Sequence, residues 1–341
     1  MAGGLTNAGI VNAAFGAING AIANNAGAFN VSGAVTSDNA FTNAAGATLA
    51  VLGGGAYTVG LDLVNGGALT VAAGGTLNVT GNLNVAATGT VVNGGTINDD
   101  LNNAGVVTNN AIWNANVASN TGTITNSAAG TWTGSAANSA GGTLANAGIW
   151  NGAITNAGTL TTTGTVNGAV INTGLANASG TITGAIANNA GTFNIAGALA
   201  IGSALTNAAA ATLNANAVPG GTAVTNAGAL AFTNAGVFNA GAVAGGSGSV
   251  TSFTSGGVQT VSNSGTMNVN GALNFTGAAG STYTNQAGGV LSMANGNTTD
   301  QTNVSGTYVG VAGSQIRSDI NLSDTNANPA VQKADRLVAG L

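Results

Sequence analysis

One stretch is written over and over in this chain. Gly75-Thr-Leu-Asn-Val-Thr-Gly-Asn-Leu-Asn-Val85 places Leu77, Val79, Leu83 and Val85 on one side of an alternating strand and Asn78, Thr80, Asn82 and Asn84 on the other. Gly81 divides it, so it reads as two short strands meeting at a glycine corner. The same phrase returns from Gly27, Gly191 and Gly265, at intervals of 48, 116 and 74 residues. A unit with one apolar face cannot bury that face alone, so its repetition predicts stacking of like upon like.

Between these long phrases run shorter ones. Asn-Ala-Gly punctuates the chain at 7–9, 25–27, 103–105, 146–148, 156–158, 189–191, 226–228, 234–236 and 239–241. Gly-Thr followed by an apolar residue opens segment after segment, as at Gly89, Gly122 and Gly142. Glycine supplies the positive φ that corners require, asparagine tolerates the left-handed region, and threonine favours extended backbone, so each phrase predicts a turn followed by a strand. Helices are disfavoured because each interior glycine costs about 1 kcal/mol relative to alanine. At larger scale Gly16–Val51 aligns without a gap to Gly180–Ala215, 164 residues later.

The predicted fold is all-β: a single-stranded, right-handed parallel β-helix, or β-solenoid, with diverged coils of roughly 20 residues. About 15 coils at ~4.8 Å each would give a rod of about 70 Å. Equivalent Asn or Thr side chains at the corners are expected to form hydrogen-bonded ladders along the axis, as stacked amides do in cross-β structures. Small aliphatic residues would fill the inside, and Asn, Thr, Ser, Gly and Ala the outside. Within the opening phrase, Asn78 and Asn84 are expected outside.

Charge narrows the partners. Charged residues are 3% of the chain; the eight acids are all Asp, and the three bases, Arg317, Lys333 and Arg336, lie in the last 25 residues. With no positive charge before Arg317, nothing neutralises phosphates or an anionic bilayer, so neither nucleic acid nor a membrane surface is an expected partner. Low charge with positive mean hydropathy is also the reverse of the disordered composition. The opening residues lack a basic and apolar signal segment, and no run of 18 apolar residues occurs. Because Leu5-Thr-Asn-Ala-Gly9 already reads as repeat, the chain is expected to be an excised fragment carrying an added Met.

Catalytic and metal-binding residue types are scarce. His, Cys and Glu are all absent, which removes the usual general bases, thiol nucleophiles and zinc ligands. Neither catalytic, cofactor-binding nor metal residues are assigned. The pair Asp99-Asp100 is the one candidate for carboxylate catalysis; consecutive strand residues face opposite ways, and a solvated turn is the preferred reading. Asp38 and Asp62 stand alone and read as corner residues, since calcium needs about six to eight oxygens. Trp113, Trp132 and Trp150 either fill the core, the preferred reading, or form an exposed sugar or protein hot spot. The runs Thr121-Gly-Thr-Ile-Thr125 and Thr159-Leu-Thr-Thr-Thr-Gly-Thr165 would suit a flat threonine array of the ice-binding kind.

After Tyr308 the grammar changes, so residues 1–313 are expected to form the repeat region and 314–341 the start of a truncated final section. Ser314, Ile316, Asp319, Asn321 and Leu322, followed by Asp335-Arg-Leu-Val338 and Gly340, resemble the late passenger region of the monomeric autotransporters of type V secretion. The Asn-Ala-Gly and Gly-Thr-Leu body is similar to autotransporter and filamentous-haemagglutinin-like adhesins. This resemblance implies a passenger domain threaded through the outer membrane of a bacterium and folded as a β-helix at the cell surface or outside the cell. The outer-membrane barrel that would anchor it lies outside this sequence, so membrane insertion by the fragment itself is not expected.

The resulting expectation is a non-enzymatic, extracellular scaffold and adhesin without cofactors, engaging host or bacterial surface components or itself, as in cell adhesion or biofilm. Two alternatives stand beside it: an ice- or polysaccharide-binding solenoid, distinguished by Thr or Trp residues aligned on one flat outer face, and a β-helix hydrolase or lyase, which needs two acids in one groove.

Overall fold

In the computed structural model, residues 3–215, 222–241, 250–320 and 334–340 are described, and among them every regular element is a β-strand. The chain divides into two compact units, residues 1–168 and 169–341. Each is a parallel β-solenoid.

In the first unit a coil contains three short strands, each pairing in parallel with its counterpart one coil later. Leu5–Asn7 pairs with Ile22–Asn24, Ile10–Ala13 with Ala28–Val31, and Gly16–Ile18 with Ala34–Ser37. We call the three resulting stacks columns I, II and III. The Gly75–Val85 phrase forms a strand from Thr76 to Val85 whose two halves belong to different columns. Thr76–Val79 lies against Ala56–Val59 in column III, while Leu83–Val85 lies against Leu63–Asn65 in column I. The corner expected at Gly81 is therefore present, because pairing with the preceding coil ends at Val79 and resumes at Leu83.

Strand alternation sorts the side chains. Leu77, Val79, Leu83 and Val85 are buried as expected. Asn78 and Asn84 are half-buried on the outer face. The bulkiest side chains stack inside: Phe29, Phe41 and Tyr57 form one cluster with centroids 5.2 to 5.9 Å apart. In the second unit Phe232, Phe253 and Phe275 stack in successive coils at 5.3 Å.

The internal duplication is structural as well. Ile22–Asn24 pairs with Phe41–Asn43, and Ile186–Asn188 with Leu205–Asn207, with matching 19-residue steps. Steps between ladder asparagines range from 16 to 22 residues in the first unit and from 16 to 29 in the second. In the first unit surplus residues are accommodated between strands, which accounts for the unequal steps there.

Many asparagines are not on the outside, a correction to the expected surface. In Leu5-Thr-Asn7, Ile22-Ala-Asn24 and Phe41-Thr-Asn43 the amide shares parity with the apolar residue two positions earlier, and all three asparagines are buried. They form a ladder: Asn7 Nδ2 donates to Asn24 Oδ1 at 2.7 Å, Asn24 to Asn43 at 2.8 Å, and Asn43 to Asn65 at 2.8 Å. Val85 interrupts this ladder, and column II begins its own at Asn93, continuing through Asn109 and Asn126 to Asn146. The second unit carries a ladder from Asn172 through Asn188, Asn207, Asn234 and Asn263 to Asn285.

The Asn-Ala-Gly phrase follows from the same geometry. Asn103 Oδ1 accepts from the Gly105 N–H at 3.1 Å, and its Nδ2 donates to the Gly105 carbonyl at 3.2 Å. A Cβ on Gly105 would lie 2.2 Å from the Gly89 carbonyl oxygen of the neighbouring coil. Glycine is needed there for close approach between coils rather than for positive φ, another correction. The phrases at 25–27, 189–191 and 239–241 differ: their asparagines are not buried, and their glycines do have positive φ. No described residue other than glycine has positive φ, so asparagine does not serve as a left-handed corner.

Candidate interaction surface

Column II of the first unit turns two aligned files of side chains outward. Register pairing places Thr90, Val106, Thr123, Thr143 and Thr159 in one file. The other contains Thr70, Val92, Thr108, Thr125, Ala145 and Thr161. Hydroxyls and methyls thus repeat at the inter-strand spacing of about 4.8 Å, with exposed valines Val92 and Val106 among them.

Column III presents amides. Asn114 Nδ2 donates to Asn98 Oδ1 at 2.8 Å, and Asn98 to Asn78 at 2.7 Å. In the second unit a longer outer ladder runs from Asn268 back through Asn239, Asn214 and Asn194 to Asn177. These amides retain free edges toward solvent, unlike the buried ones. Both faces are uncharged.

Three acids of the first unit hold coils together. Asp62 Oδ1 accepts the Asn82 N–H at 2.9 Å, Asp100 Oδ1 that of Asn116 at 2.8 Å, and Asp38 Oδ1 that of Gly20 at 2.7 Å. Each bond joins a corner to an adjacent coil. Asp38 and Asp62 therefore sit at corners as expected. The solvated-turn reading of Asp99-Asp100 is corrected: Thr96–Asn103 is a continuous strand, with Asp99 inside and Asp100 outside. Two carboxyls on opposite faces of one strand cannot close on a single substrate atom.

The tryptophans form an internal stack. Trp113, Trp132 and Trp150 are fully buried, with ring centroids 4.4 and 4.8 Å apart and planes within 8°. Each indole N–H donates at 2.9 Å to a backbone carbonyl, of Asp99, Ala115 and Gly134 respectively. An exposed aromatic hot spot at these residues is ruled out, and the core reading holds.

Late in the chain, parallel pairing continues past Ser314: Gln315–Arg317 lies against Val290–Ser292, and Arg336–Ala339 against Gln301–Val304. Asp319 Oδ2 accepts the N–H groups of Asn295 and Gly296, and Asp335 accepts those of Asp300 and Asp319. Burial raises the carboxyl pKa of both Asp300 and Asp335. Among the described residues no cluster of three or more acids, His or Cys is placed to hold a metal ion. Asn321, Leu322 and Lys333 lie outside the described residues.

Alternation identifies the outward threonines and the inward leucines, whereas the buried amides and Asp99 are recognisable only by asking which polar residues share parity with apolar neighbours. Compared with known proteins, the chain matches no protein-family profile and no curated sequence.

Proposed function

We propose that this chain is a non-enzymatic extracellular scaffold and adhesin, the passenger part of a type V secretion protein, attaching by its outward faces to cell-surface components or to other copies of itself. The observation that carries this reading is the pair of uncharged files in column II. Threonine hydroxyls and methyls recur along both files, interrupted only by Val92, Val106 and Ala145, so many weak contacts add along the axis, in the manner of multivalent binding. No charge on these files repels a second copy, and the acids of the first unit lie at corners or inside.

Display on a bacterial cell tests the proposal. Thr108→Lys with Thr161→Lys places charges on one file three coils apart, beyond a Debye length of each other at physiological salt, so folding is little disturbed while attachment is interrupted. Reduced cell aggregation or surface adhesion supports the reading; adhesion equal to the parent's rejects it for this face.

The threonine alignment also favours a second reading, an array that orders water or binds a polysaccharide. Thermal hysteresis or polysaccharide retention lost in the same double variant would select it over adhesion.

A further inference from the structure

We propose that Asp99 is a built-in proton sensor: the coil around it closes over the neutral acid, and loss of that proton loosens the segment that carries the tryptophan stack. The inference starts from alternation. Thr96–Asn103 runs strictly in and out, which carries the Asp99 side chain into an interior shared with Ile97 and Leu101. Asp99 is 4% exposed, and neither carboxyl oxygen has a hydrogen-bond partner. An ionised carboxylate there would lack hydration and bonding together.

Pairing is irregular beside this residue. Toward the preceding coil, Asn98 pairs with Asn78 but Asp100 with Asn82, so Val79, Thr80 and Gly81 all lie opposite Asp99. Toward the following coil, Leu101 pairs with Val117 but Asn102 with Ser119. Before that shift, pairing with the following coil ends at Ile97 with Trp113 and resumes only at Leu101, so Asp99 lies in a gap of the backbone ladder on both sides. Trp113 is anchored to the same residue, because its Nε1 donates to the Asp99 carbonyl.

The charged groups acting on Asp99 are all acids. Burial first, then the charge of Asp100, raises its pKa; Asp62 adds to the rise, and the total reaches about 8. The N–H groups of Asp100 and Leu83 pull the other way without completing a hydrogen bond. No base precedes Arg317, so the first unit holds no cationic side chain to compensate the ion. A folded-state pKa above the unfolded one means that the native state holds an extra proton between the two values. The contribution of Asp99 to stability is therefore full below about pH 4 and falls as pH rises toward 8.

Urea unfolding of the full chain, followed by tryptophan fluorescence from pH 5 to 9, is the test. The ratio of the parent's unfolding constant to that of Asp99→Asn is expected to rise about tenfold per pH unit between pH 5 and 7, the slope of one proton, and to level off above about 8. A ratio that does not change with pH overturns the proposal. Should Asp99→Asn fail to fold, Asp100→Asn keeps the corner acceptor and removes a charge that raises the pKa of Asp99. The pH above which the unfolding constant stops rising is expected to be lower in Asp100→Asn than in the parent, and equal values in the two overturn the proposal.

Discussion

Replacing Asn126 by alanine opens the buried ladder at its middle. Asn126 accepts from Asn109 Nδ2 at 2.9 Å, and its own Nδ2 donates to Asn146 Oδ1 at 2.8 Å and to the Ile149 carbonyl at 3.1 Å. Asn109 keeps alternative acceptors in the Ala111 and Thr131 carbonyls, both at 3.2 Å. Asn146 Oδ1 loses its donor in a site with no access to water. One orphaned buried acceptor costs about 1–3 kcal/mol and each further lost bond about 1 kcal/mol, so Asn126→Ala is expected to destabilise by about 3–5 kcal/mol.

Asn98 is the control. It makes the same two kinds of amide contact, donating to Asn78 and accepting from Asn114, but on the outer face where water replaces them. Its replacement by alanine should cost about 1 kcal/mol or less. With a urea slope of about 2 kcal/mol/M, the midpoint falls by about 2 M for Asn126→Ala and by about 0.5 M or less for Asn98→Ala. Equal shifts, or a larger one for Asn98, would refute the division into structural and surface amides.

Three other perturbations probe separate elements. Gly122→Ala forces a Cβ to within 2.2 Å of the Gly105 carbonyl oxygen, whereas Gly141→Ala meets nothing within 4 Å and bears only the penalty of its positive φ. Thermal melts should therefore show Gly122→Ala as the more damaging, with Gly141→Ala costing about 1–2 kcal/mol. Trp132→Ala removes the middle ring of the stack and should cost about 3–5 kcal/mol, with collapse of the near-ultraviolet circular dichroism from coupled indoles. Asp62→Asn keeps the acceptor for the Asn82 N–H and should change the urea midpoint little, while Asp62→Ala loses that bond and about 1 kcal/mol.

The coil wall was legible because its evidence is local. Leu77 and Val79 declare a face within three residues, and burial agrees. The fate of asparagine was not legible in the same way. Asn78 and Asn126 both occupy short alternating strands, yet one faces out and the other in. What satisfies Asn126 is an amide 20 residues later, a partner set by coil length and register, neither of which a short window contains. Parity was nevertheless available: Thr123-Ile-Thr-Asn126 puts Asn on the Ile124 side. Asp99 departs from the expected solvated turn because alternation carries it inward beside Ile97 and Leu101, against the ordinary preference of a charged residue for solvent. At Gly105 the need for glycine comes from approach between coils rather than from φ, and that approach exists only once the coils are stacked.

One residue type thus does two separate jobs, and the bonds distinguish them by direction. Buried ladders donate toward the following coil, from Asn24 to Asn43, whereas outer ladders donate toward the preceding one, from Asn98 to Asn78. A buried amide is satisfied only once the next coil is in place, as Asn24 also needs the Thr48 carbonyl of that coil. Cohesion therefore resides inside, where each coil completes the one before it. The outward files contribute little to that cohesion, and alternation keeps them apart from it: Thr123, Thr125 and Thr161 can be changed without touching Ile124 or Leu160 beside them. Surface recognition and folding are consequently separable by mutation, so adhesion lost on substituting an outward threonine, with the urea midpoint unchanged, can be attributed to the face itself.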